Sequence, residues 1–336
     1  MKRELVISAL NFVESEKVPY NIELTSEMQA MLTAKVGISK ADFFEYAGNH
    51  IEKLGINQEG SYIKEGHFKD EFGVVWNRSG QDKDIGVVEK VLFSEAEIGD
   101  YVFPTVDEEL IRKKCTAFFA TSRDSFKLAK LGMTYFERAW SMRGFENMLM
   151  DFLVEEDFVF ELLGNILEYN MKIIGIALEY DFDGFYFGDD YGQQSSLLMN
   201  PETWRKFIKP GLAEMFSKVK KARKFVAMHS CGDLSAILDD MVEIGLDAYQ
   251  TVQPEIYDLA TLKAKYDKKL SFWGCISTQQ TLPYCTPEEL RVVLKDTIDI
   301  MNRNGGFILA PTHQVSADVP VENIVAMIDY LVETLA

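Results

Sequence analysis

A histidine and a cysteine two residues apart close the run FVAMHSCGD, residues 225–233. A chain with only four histidines and four cysteines puts one of each nearly in contact, at the end of what reads as a buried strand. Positions i and i+2 of a strand share a face, so the His229 imidazole and the Cys231 thiol would converge. An imidazole nitrogen and a thiolate sulfur together suit zinc, an ion of borderline softness. His313 ends the last apolar run, GFILAPTH (306–313), and adds a donor from a second strand. Three protein donors leave a fourth position open, which is the arrangement of a catalytic zinc. The plainer alternative is a hydrogen-bonded core histidine beside a small buried hydrophobe.

Other polar groups gather at the ends of neighbouring runs. Asp189 and Asp190 close GFYFGDDYG, and adjacent strand residues face opposite ways. One carboxylate is therefore expected at the mouth of the fold, while the other caps a helix or meets a cation. The mouth-facing one would serve as metal donor, orient a histidine, or act as the catalytic acid/base. Gln253, at the end of AYQTVQP, and Tyr191 are expected to orient a substrate. Phe187 and Trp273 would supply its walls and suit a flat aromatic molecule, or else pack as ordinary barrel residues. His50 and His67, in AGNHIEKL and KEGHFKDEFG, read as parts of a helix and a polar loop. Cys275 reads as packing and Cys285 as a turn residue, and nothing near Cys115 supports a chemical role.

Seven apolar runs of strand length are each followed by a segment with helical spacing. They are TAFFATS (116–122), TYFERAW (134–140), DGFYFGDD (183–190), KFVAMHSC (224–231), DAYQTVQ (247–253), LSFWGCIST (270–278) and GFILAPTH (306–313). An eighth is expected near LTSEMQ or earlier. Asn200-Pro201-Glu202 and Thr286-Pro287-Glu288-Glu289 mark helix starts, the second with capping-box spacing, and Asp233 is expected to cap the helix after it. Alternating strands and helices imply a parallel sheet, here a (β/α)₈ TIM-type barrel with its site at the C-terminal strand ends. No GxGxxG turn supports a dinucleotide-binding fold. The expectation is a single domain over 1–336. Residues 1–110 would form N-terminal helices and a hairpin-like insertion (DEFGVVWNRSGQDKDIGVVEKVLF) partly over the mouth, and 111–336 the main barrel repeats.

Composition narrows the partners. The 336 residues are 47% hydrophobic and 26% charged, with a formal charge of −18, the reverse of a surface built to neutralise nucleic-acid phosphates. No stretch approaches about 18 consecutive apolar residues, so no membrane span is expected. The start, MKRELVISALNF, carries Glu4 where a signal peptide would be apolar, and reads as a helix. Four scattered cysteines make no disulfide framework, which fits a reducing, cytoplasmic location.

The segments HSCGDLSAILDDMVEIGLDAYQTVQP, LSFWGCISTQQTLPYCTPEEL and GGFILAPTHQVSADVPVENI resemble the uroporphyrinogen decarboxylase-like superfamily. FDGFYFGDDYGQQSSLLMNPETWRKFIKP and DEFGVVWNRSG resemble its branch of corrinoid-dependent methyltransferases. The resemblance runs from about residue 65 to the end. It implies a (β/α)₈ barrel in which H-x-C and a late cysteine bind zinc, and a partner protein that carries a corrinoid. His229 and Cys231 match that pattern, whereas the late cysteine is replaced by His313 in APTH. The arginine-rich N-terminal segment of true uroporphyrinogen decarboxylases has EKVPYNIELTSEM in its place, and Arg78 is the one arginine between Val18 and Ile111. A tetrapyrrole with many carboxylates needs more cations than that. The expected activity is zinc-dependent methyl transfer between a small substrate, or a thiol or pterin acceptor, and a corrinoid protein. The alternatives are a metal-independent lyase and a non-catalytic small-molecule-binding barrel.

Overall fold

The computed structural model describes residues 1–80, 86–121 and 123–335; residues 81–85 of the insertion, Ser122 of the 116–122 run and the terminal Ala336 lie outside the described residues. Seven strands form one parallel sheet in chain order: β1 (Ile51–Gly55), β2 (Phe126–Leu131), β3 (Gly184–Gly188), β4 (Phe225–His229), β5 (Ala248–Val252), β6 (Ser271–Ile276) and β7 (Phe307–Pro311). Strand alternation sorts their side chains into two cores. Inside the curled sheet Ile51, Leu128, Tyr186, Ala227, Trp273 and Ile308 pack together, and Val6 and Leu10 of helix Lys2–Leu10 join them, closing the end at which the strands begin. On the outer face Leu131, Phe185, Phe187, Val226, Tyr249, Phe272 and Leu309 pack beneath the helices.

The place of an eighth strand is taken by residues 18–24. Tyr20 and Leu24 make single parallel bridges to Leu309 and Val315, and the Tyr20 carbonyl accepts from His50 N at 3.1 Å, just before β1. The segment LTSEMQ is not a strand, because Thr25 caps helix Ser26–Val36 by accepting from Met28 N.

Five of the seven expected strands, from 183–190 onward, are β3 to β7. The first two are helical. TAFF ends helix Glu108–Phe119, started by the Asp107 side chain, whose Oδ1 accepts from Leu110 N. Ile111 and Cys115, one turn apart, bury its inner stripe. FERAW belongs to helix Phe136–Arg143. The strand before that helix is FKLAKL, and the strand that opens the sheet is IEKLG, from the stretch read as a helix. Their lysines disguise both, for a reason that lies in the site.

The expected insertion is a four-stranded antiparallel sheet of Ser61–Lys64, His67–Lys69, Val75–Asn77 and Val87–Lys90. Asp70 ties it to the barrel. Its Oδ1 accepts from Phe72 N and Val74 N, and its Oδ2 accepts from Trp76 Nε1 at 2.9 Å and Arg138 at 2.5 Å. Arg138 is buried against the Phe72 ring, so a paired and hydrogen-bonded charge pins the insertion to helix Phe136–Arg143. The caps at Asn200 and Thr286 form as expected, the latter a complete capping box. Asp233 opens a turn instead, accepting from Ser235 N, and the helix starts later, at Leu238.

Candidate metal centre and cavity

His229 is the last residue of β4 and shares the inward face of Ala227. Its Nδ1 meets Gln250 Oε1 on β5, and the same oxygen accepts from the Tyr186 hydroxyl at 2.7 Å. An amide oxygen only accepts, so Nδ1 carries the proton and Nε2 is left with its lone pair. Cys231 Sγ lies 3.5 Å from that Nε2. His313, two residues beyond β7, brings its ring to 5.7 Å from that of His229. One donor atom each from His229, Cys231 and His313 lie within 4.8 Å of one another, a set able to hold a metal ion. Burial lowers the His229 imidazole, with Asp190 opposing, and pushes the Cys231 thiol well up, with Asp190 adding to the rise.

The backbone around Cys231 is held from several sides. Cys231 N donates to Asp190 Oδ1 at 2.8 Å, and Gly232 N donates to Gln253 Oε1 at 2.9 Å. The Tyr249 and Tyr257 hydroxyls both donate to the Gly232 carbonyl. Gly232 has φ +85°, and a Cβ on it would collide with the backbone of Gly192 and Gln193.

The two aspartates divide as their alternation requires. Asp189 is fully buried and caps helix Phe136–Arg143, which has no capping side chain of its own. Its carboxylate accepts from Tyr135 N, Phe136 N, Glu137 N and the Tyr191 hydroxyl, at 2.6–3.1 Å. Burial raises its carboxyl to about 7, against the pull of those donors. Asp190 faces the cavity, with Oδ1 3.6 Å from His229 Nε2.

A cavity of about 450 Å³ opens at the C-terminal ends of the strands and reaches His229, His313 and Asp190. Four aromatic side chains line it: Tyr186 and Trp273 from the barrel, Trp140 from the capped helix and Trp76 from the insertion. Trp273 thus lines the cavity, and Phe187 and Tyr191 do not. Phe187 follows inward-facing Tyr186, so it turns outward onto Phe216, and Tyr191 is fully buried against Trp204. Gln253 borders a neighbouring hollow of about 420 Å³ that shares Cys231 and His313.

Sequence reasoning missed the cavity's charged groups. Lys53 and Lys130 project inward from β1 and β2, Glu23 comes from the segment that fills the eighth strand position, and Glu137 comes from the first turn of the capped helix. Burial pushes the Glu137 carboxyl well above the usual range, and Asp189 and Asp190 add to the rise. The available signal was a lysine at an inward position of an otherwise apolar strand.

Parallel strands ringed by helices, with polar groups and a concave cavity at the strand C-termini, define a barrel of the TIM type with its cavity at that face. Residues 133–334 match the uroporphyrinogen decarboxylase (URO-D) family, and the chain belongs to it. Its likeness within the superfamily is to the corrinoid methyltransferase branch. A methylcobamide:CoM methyltransferase of Methanosarcina barkeri is 29% identical over 132 residues, 39% of this chain and 36% of that protein. Its counterpart from the Fusaro strain is 27% identical over the same share. The match thus spans about a third of the length of these relatives. A methyltransferase structure from Methanosarcina mazei superposes over 100% of this chain and 99% of its own, with TM-score 0.76 and 18% identity, which shows the shared fold. No helix among the described residues is long and apolar enough to cross a membrane.

Proposed function

We propose that this protein is a zinc-dependent methyltransferase that moves a methyl group between a small substrate, or a thiol or pterin acceptor, and a corrinoid carried by a partner protein. The observation that carries this reading is the convergence of His229, Cys231 and His313 beside a cavity of small-molecule size that the two histidines line. The three side chains would hold zinc through two nitrogens and one sulfur, a donor set that fits that ion. Bound there, zinc supplies Lewis acidity to the oxygen or sulfur on which charge develops as the methyl group moves.

The chain's own groups do the rest. Gln250 fixes the His229 ring so that Nε2 faces the cluster. Asp190, beside that nitrogen, stands ready as a fourth donor or a proton carrier. Asp189 acts as a positioning residue, because its cap sets the first turn that carries Glu137. Glu137, whose carboxyl burial pushes well above the usual range, lines the cavity as the acid for a poor leaving oxygen. Trp76, Trp140, Tyr186 and Trp273 exclude water and present flat faces to a methoxylated ring. The methyltransferases named above support the reaction class.

Metal analysis of protein purified without chelators tests the proposal. The expected result is about one zinc per chain, lost in His229→Ala and Cys231→Ala together with methyl transfer to a corrinoid protein. A folded, metal-free wild-type protein overturns it. A metal-independent lyase acting on a small acid would then be the better reading, since the cavity's lysines suit a carboxylate.

A further inference from the structure

Lys53 and Lys130 are hard to explain as parts of a barrel. Both occupy inward positions, each two residues along its own strand from an apolar inward residue, Ile51 or Leu128. The Lys53 side chain is only 9% exposed, its Nζ lying 4.3 Å from the Tyr186 ring centroid and 5.2 Å from that of Trp273. It pairs with Glu23 Oε1 at 2.6 Å. Lys130 is in register with Gly55 on one side and Tyr186 on the other. Among the described residues it has no hydrogen-bond or ion-pair partner. Beside it, Gly132 leaves open space, since a Cβ there would meet nothing within 4 Å.

Glu23 is the one carboxylate among the described residues that pairs with either lysine, so Lys130 has no carboxylate of its own at this end of the cavity, which Arg78 also lines. Glu71, which borders the same end of the mouth, is already engaged by buried Arg138. Half-buried Lys130 thus offers an ammonium at the cavity wall that no protein carboxylate already holds, and a bound anion would meet it there. The two aromatic rings beneath Lys53 hold its ammonium in place through their faces, so the site is organised before a ligand arrives.

We propose that Lys130 and Lys53 form an anion subsite that takes the carboxylate of a small substrate. The flat body of that substrate then lies between Trp76, Trp140, Tyr186 and Trp273, with its reacting end toward His229 and His313. This deepens the methyl-transfer reading and rests on it only for the identity of the reacting end. Substrate selection is thus divided between two sides of the cavity, with the charge read at β1 and β2 and the chemistry done at β4 and beyond β7.

Binding of 4-methoxybenzoate and of its neutral analogue 4-methoxybenzamide, followed by calorimetry and by quenching of tryptophan fluorescence, tests the subsite without any turnover. The expected result is a preference for the acid of roughly tenfold or more. Lys130→Met should abolish that preference while leaving affinity for the amide unchanged. The pair Lys53→Met with Glu23→Gln, which removes both members of the ion pair, should reduce the preference as well. His229→Ala and Cys231→Ala should keep it, so a failed zinc test leaves this result intact. Equal affinity of the wild-type protein for the two probes overturns the proposal, as does no saturable binding of the acid. A Lys130→Met protein that loses both probes equally also overturns it, because that pattern reports a structural lysine.

Discussion

Gln250 Oε1 joins two inward-facing rings, accepting from the Tyr186 hydroxyl on one side and from His229 Nδ1 on the other. The relationship decides which nitrogen of His229 faces Cys231. Gln250→Leu removes the acceptor, leaving the ring free to turn and the Tyr186 hydroxyl unpaired. Zinc affinity should fall roughly 10- to 100-fold, the usual cost of removing the partner that orients a ligating histidine. Competition against a chromophoric chelator measures it. Tyr186→Phe, which leaves Oε1 in place, should change affinity far less. Equal losses in the two variants would contradict an orienting role for Gln250.

Asp189 presents the opposite case, a carboxylate near the chemistry whose contacts are structural. Asp189→Ala leaves three N–H groups of a helix start and one buried hydroxyl without their acceptor. A loss of roughly 3 kcal/mol in urea unfolding is expected, from the cap and the buried charge-assisted bonds together. Zinc content of the folded fraction should stay near that of the wild type. A variant of undiminished stability with no activity would instead make Asp189 a catalytic residue.

That cap also shows where sequence reading stops. β3 to β7 are legible because their apolar runs are nearly unbroken, and His229 and Cys231 converge although Cys231 lies two residues beyond β4, where Asp190 and Gln253 hold the turn. β1 and β2 are illegible because charged residues interrupt their apolar pattern. Glu52 and Lys53 break the first, Lys127 and Lys130 the second, and alternation alone does not tell a solvent-facing lysine from one aimed into a cavity. The helix Phe136–Arg143 lacks a start signal of its own, since the acceptor for its first turn arrives more than fifty residues later in the chain, at Asp189. Phe187 lies on the outer face because inward His229 is in register with Gly188, which places Tyr186 inside, and that register is not written in the sequence.

Close backbone packing beside the cluster makes Gly232 sensitive. Its φ of +85° is in the left-handed region, and an added Cβ would meet the backbone of Gly192 and Gln193, which cannot swing aside as a side chain would. Gly232→Ala should cost at least about 2 kcal/mol in thermal or chemical unfolding, from the backbone conformation and the clash. Because Cys231 is the preceding residue, zinc affinity should fall in the same variant. An unaltered melting temperature with full zinc content would show that the turn relaxes freely.

His50 provides a pH signature remote from the metal centre. Its ring packs edge-on against Tyr20 at 4.6 Å, and Nδ1 lies 3.3 Å from the Tyr20 carbonyl oxygen. Burial lowers its imidazole to about 4, with Lys2 adding to the fall and the Tyr20 backbone opposing it. In the unfolded chain the same group titrates near 6.5. Between those two values the unfolded state binds a proton that the folded state excludes, so stability rises with pH across the window and is lost as pH falls through it. Going from pH 7 to pH 5 should remove about 2 kcal/mol through this group alone. Carboxylates titrate in the same range, so the quantity to measure is the difference in pH dependence between the wild type and His50→Gln, by urea unfolding at several pH values. The wild type should lose more stability than the variant by about that amount. Parallel pH profiles would mean that His50 accepts its proton in the folded protein, against the burial and ring packing seen here.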